Sequence, residues 1–265
     1  MQNSKKLILT TILAISFFIS SCGSQKEVDK VGDAQQCLNE ATASTAMACT
    51  TKVDGLTSVG AYNIRCAAAF VREGFANPTK YTTAFEALKG TSGTSSFMGL
   101  VSFSSTGNIQ TDAPNASTTF TDCFSAGAKG KALISSFGYI TTALMKFLAD
   151  SSNNTISVCT TPSATLGYDV SSCMTQIGNS LNATYIANIA TIGSASVADS
   201  TGAGQVQSSI GTVIISTYAI SCSGKGANVE LCDKLKTAIN SGGGTSSPRG
   251  VARKFFSAFL NIPET

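Results

Sequence analysis

Nine cysteines and no histidine set the chemistry open to this chain of 265 residues. Without histidine the usual general base near neutral pH is missing, and with it the common serine–histidine–aspartate triad. Two routes to hydrolysis survive that loss: paired carboxylates can cleave glycosides, and serine–lysine pairs can acylate. The acidic side chains Glu73, Glu86, Asp112, Asp122, Asp150 and Asp169 are scattered, and most fall at predicted helix ends or turns. Solvation and helix capping are their expected work. There is no Cys-x-x-Cys pair, so neither structural zinc nor iron–sulfur nor c-type haem spacing is met. No metal, no cofactor and no catalytic residue is expected.

Other patterns come close to known motifs and fail on particular residues. In Ser125-Ala126-Gly127-Ala128-Lys129-Gly130-Lys131 a phosphate loop would need glycine at Ser125 and a hydroxyl residue at Ala132. Gly202, Gly204 and the run Gly242 to Gly244 lack a dinucleotide-binding context and read as turn residues. The triplets beginning at Asn115, Asn153 and Asn182 match the glycan acceptor pattern and read as accidental. Arg249, Arg253 and Lys254 stand beside Phe255 and Phe256, as the charged rim of a docking helix would. Three cations make no nucleic-acid groove, and no nucleic-acid partner is expected.

Cys22 is different, because its neighbours single it out. Lys5 and Lys6 precede an apolar run from Leu7 to Ile19, and Ser20 and Ser21 lead into the cysteine. The run is too short for a comfortable bilayer span and suits a processed leader. The stretch Ile19-Ser20-Ser21-Cys22 resembles the signal of bacterial lipoproteins, in which cleavage is followed by the cysteine that becomes lipidated. It departs from the common pattern at Ile19, where leucine is preferred, and at Ser21, where alanine or glycine is frequent. Spirochaete-type envelope lipoproteins use looser versions of this kind. The resemblance covers the first 22 residues. It implies removal of a signal peptide, residues 1–21, and a mature chain beginning at Cys22. That cysteine would carry a diacylglyceryl thioether and an amide-linked acyl chain such as palmitate, since two or three chains hold a protein firmly at a membrane. The competing reading is a plain secretory leader with Cys22 buried or paired. Gly23 and Ser24 lack the aspartate that resembles an inner-membrane retention signal, which favours the outer membrane, facing the cell surface or the periplasm.

Once the leader is removed, 244 residues remain, enough for one large domain or two small ones. Their 16 basic and 15 acidic side chains nearly cancel. Charged residues are 12% of the whole chain, about half the usual share, and Ser, Thr, Asn, Gln and Gly take their place. Lipidation of Cys22 leaves eight cysteines, an even number that outside the cytoplasm most simply makes four disulfides. Their pairings number on the order of a hundred. Cys159 with Cys173 and Cys222 with Cys232 suit short loops at helix–helix turns. Cys37, Cys49, Cys66 and Cys123 would then share two bonds.

The elements that would position these residues are helices. Residues 22–33 are mostly polar and read as a flexible tether. From Asp33 to Thr50, Ala34, Cys37, Leu38 and Ala41 form one stripe. Val59, Tyr62, Cys66, Phe70 and Val71 form another, with Ser58 placed to cap it and Gly74 and Pro78 to end it. A short helix is predicted over Thr79 to Leu88. Gly90 to Ser96 looks like a loop, and Phe97 to Phe103 like a short strand or buried turn. Pro114 then precedes a helix over Ser117 to Ala126. Lys131 to Leu148 is the strongest segment: Leu133, Phe137, Ile140, Leu144 and Phe147 lie along one face, widened by Ile134 and Leu148, with Ser136, Thr142 and Lys146 turned away. A membrane span is set aside there on length and on Lys131, Lys146 and Asp150. Helices follow over Tyr168 to Gly178 and Leu181 to Ile192, then a loop at 193–204 that is the candidate internal boundary. Gln205 to Ile220 carries the β-branched run Val213-Ile214-Ile215 but has no partner strand, so a buried helix is expected. Val229 to Ile239, closed by Asn240 to Gly244, and a last helix bearing Val251, Phe255, Phe259 and Ile262 complete the chain.

The expected fold class is therefore mainly α: a disulfide-linked helical bundle over residues 34–265. The expected protein is non-enzymatic and held to membrane lipid through acylated Cys22. It would present a helical scaffold to a protein or host-surface partner. The other classes are a periplasmic structural or assembly subunit of an envelope complex, and a histidine-independent hydrolase.

Overall fold

A computed structural model describes residues 26–89, 93–165, 167–179, 187, 190–198, 201–223, 229–260, 262 and 264. It is a mainly helical bundle closed by four disulfides. The β-structure among the described residues is one isolated bridge between Ser163 and Gly167.

The chain opens with α1, residues 26–40, and a 3-10 helix, Ala46–Val53. Helices α2 (Val59–Arg72), α3 (Pro78–Lys89), α4 (Gly93–Val101), α5 (Ile109–Ser125) and α6 (Lys129–Ser151) follow. Then come α7 (Ser157–Thr160), α8 (Val170–Asn179), α9 (Gly202–Ser221), α10 (Val229–Ser241) and α11 (Pro248–Leu260). The local signals explain many of these limits. Ser58 accepts a hydrogen bond from the Ala61 amide and caps α2, which ends at Gly74 with φ +78°. Pro78 starts α3 where its missing N–H costs nothing. Gly243 and Gly244, both at positive φ, close α10.

Helix α6 is the axis. It packs chiefly on α5 and α9, and also on α4, α7 and α8, while α11 lies across α9 and α10. Leu133, Ile134, Phe137, Ile140, Leu144 and Leu148 are buried. So are Ser136 and Thr142, which the sequence places on an outer face. Their hydroxyls donate to carbonyls of the same helix, Ser136 to Leu133 at 2.6 Å and Thr142 to Gly138 at 2.9 Å, and so need no solvent. At 23 residues α6 is long and apolar enough to cross a membrane, so length does not argue against that role. Its burial among neighbouring helices identifies it as a core helix.

Four other expectations are corrected. Phe97 to Phe103 is neither strand nor turn at its start: helix α4 runs to Val101, and Phe97, Met98 and Phe103 are fully buried. Helix α5 begins at Ile109, with Pro114 inside it, because Asn108 supplies the cap by accepting from the Gln110 amide at 2.9 Å. The stretch assigned to the tether is helical from residue 26. Val31 and Ala34, one turn apart, seat that helix on the smaller of two apolar clusters. The loop at 193–204 does not separate two cores, since Leu144, Ile192, Ile210 and Phe255 belong to one cluster. A second, smaller cluster gathers Ala34, Leu38, Ala46, Cys49, Val53, Ala61, Ile64 and Ala68. Helix α2 contributes to both, with Cys66 and Phe70 in the larger one. The helix predicted over Leu181 to Ile192 lies mostly outside the described residues, of which 187 and 190–193 are helical.

Candidate functional site

The eight cysteines 37–232 pair sequentially. Cys37 of α1 bonds Cys49 of the 3-10 helix, and Cys66 of α2 bonds Cys123 of α5. Cys159 of α7 bonds Cys173 of α8, and Cys222, just past α9, bonds Cys232 of α10. Three of these bonds close loops of 10 to 14 residues, and Cys66–Cys123 closes one of 57. Cys22 lies outside the described residues.

Three of the scattered carboxylates are buried rather than solvated, and two of them, Glu73 and Asp112, hold backbone amides. Glu73 accepts from the amides of Ser104 and Ser105 at 2.8 and 3.1 Å, from the Ser105 hydroxyl at 2.6 Å and from Arg72 at 3.1 Å. Asp112 accepts from the amide and hydroxyl of Thr106 at 3.1 and 2.8 Å, and from the Tyr168 hydroxyl at 2.9 Å. The two acids thus hold three consecutive residues, 104–106, of the loop between α4 and α5. Asp122 pairs with Arg65 at 3.1 Å. Burial raises the Asp122 carboxyl above its usual range, and the Arg65 hydrogen bond and charge offset part of that rise. Asp169 caps α8 through the Ser172 amide and hydroxyl. These acids were missed as buried groups because nothing in their sequence neighbourhood announces burial.

Lysine chemistry is similarly absorbed. Lys80 donates to the Glu73 carbonyl at 2.7 Å and lies over the Phe75 ring at 4.1 Å. Burial lowers its ammonium below the ordinary lysine value, against the opposing pull of Glu73. Lys131 is lowered by burial too, and donates to Asn63 at 3.4 Å. The segment Ser125 to Lys131 runs from the end of α5 through a turn at 126–128, with Gly127 at φ +63°, into the start of α6. In the rim by α11, Arg249 donates to Gln207 and Lys254 pairs with Glu264, while Phe255 and Phe256 are buried.

A groove of about 430 Å³ lies between α5, α6 and α9. Its walls follow helical spacing: Tyr139, Ala143, Lys146, Phe147 and Asp150 from α6, Ala113, Pro114 and Ser117 from α5, and Gly202, Gln205, Val206 and Ser209 from α9. Small side chains at Ala113, Ala143 and Gly202 leave the space. Tyr139 and Ser209 hydrogen-bond across it, joining α6 to α9. At the rim Lys146 pairs with Asp150, and Gln110 donates to Asp150 at 2.7 Å. A second hollow of about 460 Å³ adjoins it past Phe147 and Gly202, lined by Thr191, Ser194, Ser196 and Thr201. Phe147, expected in the core stripe, is the partition between the two.

An apolar floor with a few fixed hydrogen-bonding groups suits reversible binding. The hydroxyl of Ser209 is matched to a phenol, not to an amine or a carboxylate, and Lys146 and Asp150 are engaged with each other. The groove therefore offers hydrogen bonds and apolar contact rather than an activated nucleophile. Among the described residues no three His, Cys, Asp or Glu side chains are grouped to hold a metal ion. No protein family, no curated protein and no solved structure matches this chain.

Proposed function

We propose that this is a lipid-anchored bacterial envelope protein, held at the outer membrane through Cys22, whose disulfide-tied bundle serves as a binding scaffold. The observation that carries this reading is the distribution of its nine cysteines. Eight are consumed in four disulfides, and the ninth follows an apolar leader at the position where lipoproteins are acylated. Four disulfides in one chain favour an oxidising compartment. The groove between α5, α6 and α9 is the face on which a partner is bound, because its floor is apolar and its polar groups are held by neighbouring helices rather than left mobile.

Two measurements test the proposal. Mass spectrometry of protein from the native cell should find a chain beginning at acylated Cys22; an intact leader or an unmodified thiol overturns the anchoring. Affinity capture after mild cross-linking on intact cells should recover a partner with the wild-type chain and lose it with Ala143→Trp, which fills the groove. Equal recovery from the two chains overturns the groove as the binding face.

A further inference from the structure

From the geometry of the lobe that α1, the 3-10 helix and the start of α2 form around the smaller cluster, we infer that its valine-bearing end seats in the headgroup region of a zwitterionic bilayer, so that the bundle stands directly on the membrane. This inference rests on the acylation of Cys22 proposed above and adds the orientation of the lobe.

The two barest large apolar side chains of this lobe are Val28 and Val59, each 64% exposed. They belong to one end of the lobe. Val28 lies one turn before Val31 on α1, and Val31 reaches the start of α2, where a β-carbon on Gly60 would lie 3.3 Å from its methyl group. Val59 is the residue before that glycine. The same end is where the chain leads back toward Cys22. Only three residues separate Cys22 from residue 26, so the two α-carbons are at most ~14 Å apart however the chain runs. A sulfur carrying acyl chains at that distance keeps the beginning of α1 within reach of the headgroups.

The charges select the kind of surface. Lys26 and Lys30 are balanced by Glu27 and Asp29 on the first turns of α1. A strongly anionic surface draws in clusters of cations, whereas this mixed set matches headgroups that carry both signs. Two valines and balanced charge would bind vesicles weakly alone; the acyl anchor raises their effective concentration at the surface and makes the seat persistent.

The chain contains no tryptophan, so a single introduced indole reports alone. Val28→Trp, Val59→Trp and, as a remote reference, Val229→Trp (71% exposed) are made in the full acylated chain. Each is reconstituted in phosphatidylethanolamine–phosphatidylcholine vesicles carrying bromine on shallow acyl carbons. Interfacial side chains sink ~5–10 Å into the headgroup and acyl boundary. Indoles at 28 and 59 should therefore be quenched and blue-shifted, and the one at 229 should not, with the same result in low and high salt. Acylated Cys22 with equal, weak quenching at all three positions overturns the seat and leaves the anchor standing. Quenching that disappears in high salt overturns the zwitterionic match. An unmodified Cys22 overturns the anchor and the seat together.

Discussion

Arg65 and Asp122 form an ion pair at 3.1 Å, and each directly precedes one of the cysteines of the Cys66–Cys123 bond. One covalent and one ionic link thus tie α2 to α5 side by side. Arg65 also donates to the carbonyls of Val53 and Leu56, at 3.3 and 3.1 Å, so the same guanidinium fixes the end of the 3-10 helix. This is where the small core is fastened to the large one. Arg65→Met strands a largely buried carboxylate and should cost about 3 kcal/mol in urea unfolding. Arg65→Met with Asp122→Leu removes both charges and should recover much of that loss. A double variant no more stable than Arg65→Met would mean that the carbonyl contacts, not the ion pair, carry the fastening.

The disulfides differ in how much unfolded chain they restrain. Cys66–Cys123 spans 57 residues and Cys222–Cys232 spans 10. Loop-closure entropy assigns about 4 kcal/mol to the former and about 3 to the latter. Replacing both cysteines of each pair with alanine avoids stray thiols. Of the two double variants, the one lacking Cys66–Cys123 should have the lower denaturation midpoint. The reverse order would show that native contacts around α10 depend on Cys222–Cys232 more than chain entropy does.

Tyr168 and Asp112 make a second buried link, with the phenol donating to the carboxylate at 2.9 Å. Asp112 has no solvent exposure, so Tyr168→Phe removes a donor that water cannot replace. The variant should lose about 2–3 kcal/mol. Because the other oxygen of Asp112 holds Thr106, amide exchange in the loop at 102–108 should quicken as well. A stability loss under about 0.5 kcal/mol would mean the carboxylate finds another donor.

What could be read from the sequence followed from periodicity. Helix α2 with its Ser58 cap, the core stripe of α6 and the buried α9 are all carried by apolar spacing that only a helix can bury. Local disulfides follow from short separations between helices. What escaped were features set by partners distant in sequence. Glu73 finds its partners in amides 31 and 32 residues further on, and Asp112 accepts from Tyr168, 56 residues away, which no neighbouring residue of either acid signals. Asn108 began a helix in spite of Pro114, because a cap outweighs a proline placed in the second turn. The groove depends on small residues, Ala113, Ala143 and Gly202, whose role emerges only when three helices are set side by side. Phe147 has the spacing of a core residue, yet the same helices leave it between two hollows.

Buried tyrosines set the alkaline limit of the fold. Burial pushes the Tyr81 phenol up to about 12, and Tyr168 is raised by burial, by the charge of Asp112 and by their hydrogen bond. In the unfolded chain both would ionise near ~10. Above that pH the unfolded chain releases protons that the folded chain retains, so stability falls as pH rises through this window and is undiminished below it. Lys80 and Lys131, lowered by burial, act with the opposite sign: their contribution rises with pH up to the ordinary lysine value. Tyr81 and Tyr168 should develop phenolate absorbance only above the free-tyrosine range. Tyr81→Phe should flatten part of the fall between pH ~10 and ~12. Phenolate appearing in a single step near the free-tyrosine value would contradict the burial of both rings.

Two glycines of α6 should respond to alanine with opposite sign. A β-carbon at Gly138 would lie 2.2 Å from the Phe103 ring and 2.8 Å from the Val101 carbonyl oxygen. Phe103 is fully buried among Phe70, Phe75 and the rest of the large core, so it has nowhere to withdraw. Gly138→Ala should cost about 1–3 kcal/mol. At Gly130, in the first turn of the same helix, a β-carbon meets nothing within 4 Å. There the gain in helix propensity stands alone, and Gly130→Ala should stabilise by about 0.5–1 kcal/mol. Thermal unfolding of the two variants against the wild type decides the matter. If both changes destabilise, the first turn of α6 is held by something other than its own backbone preference; if both stabilise, the close approach of α4 to α6 is looser than the Gly138 contact implies.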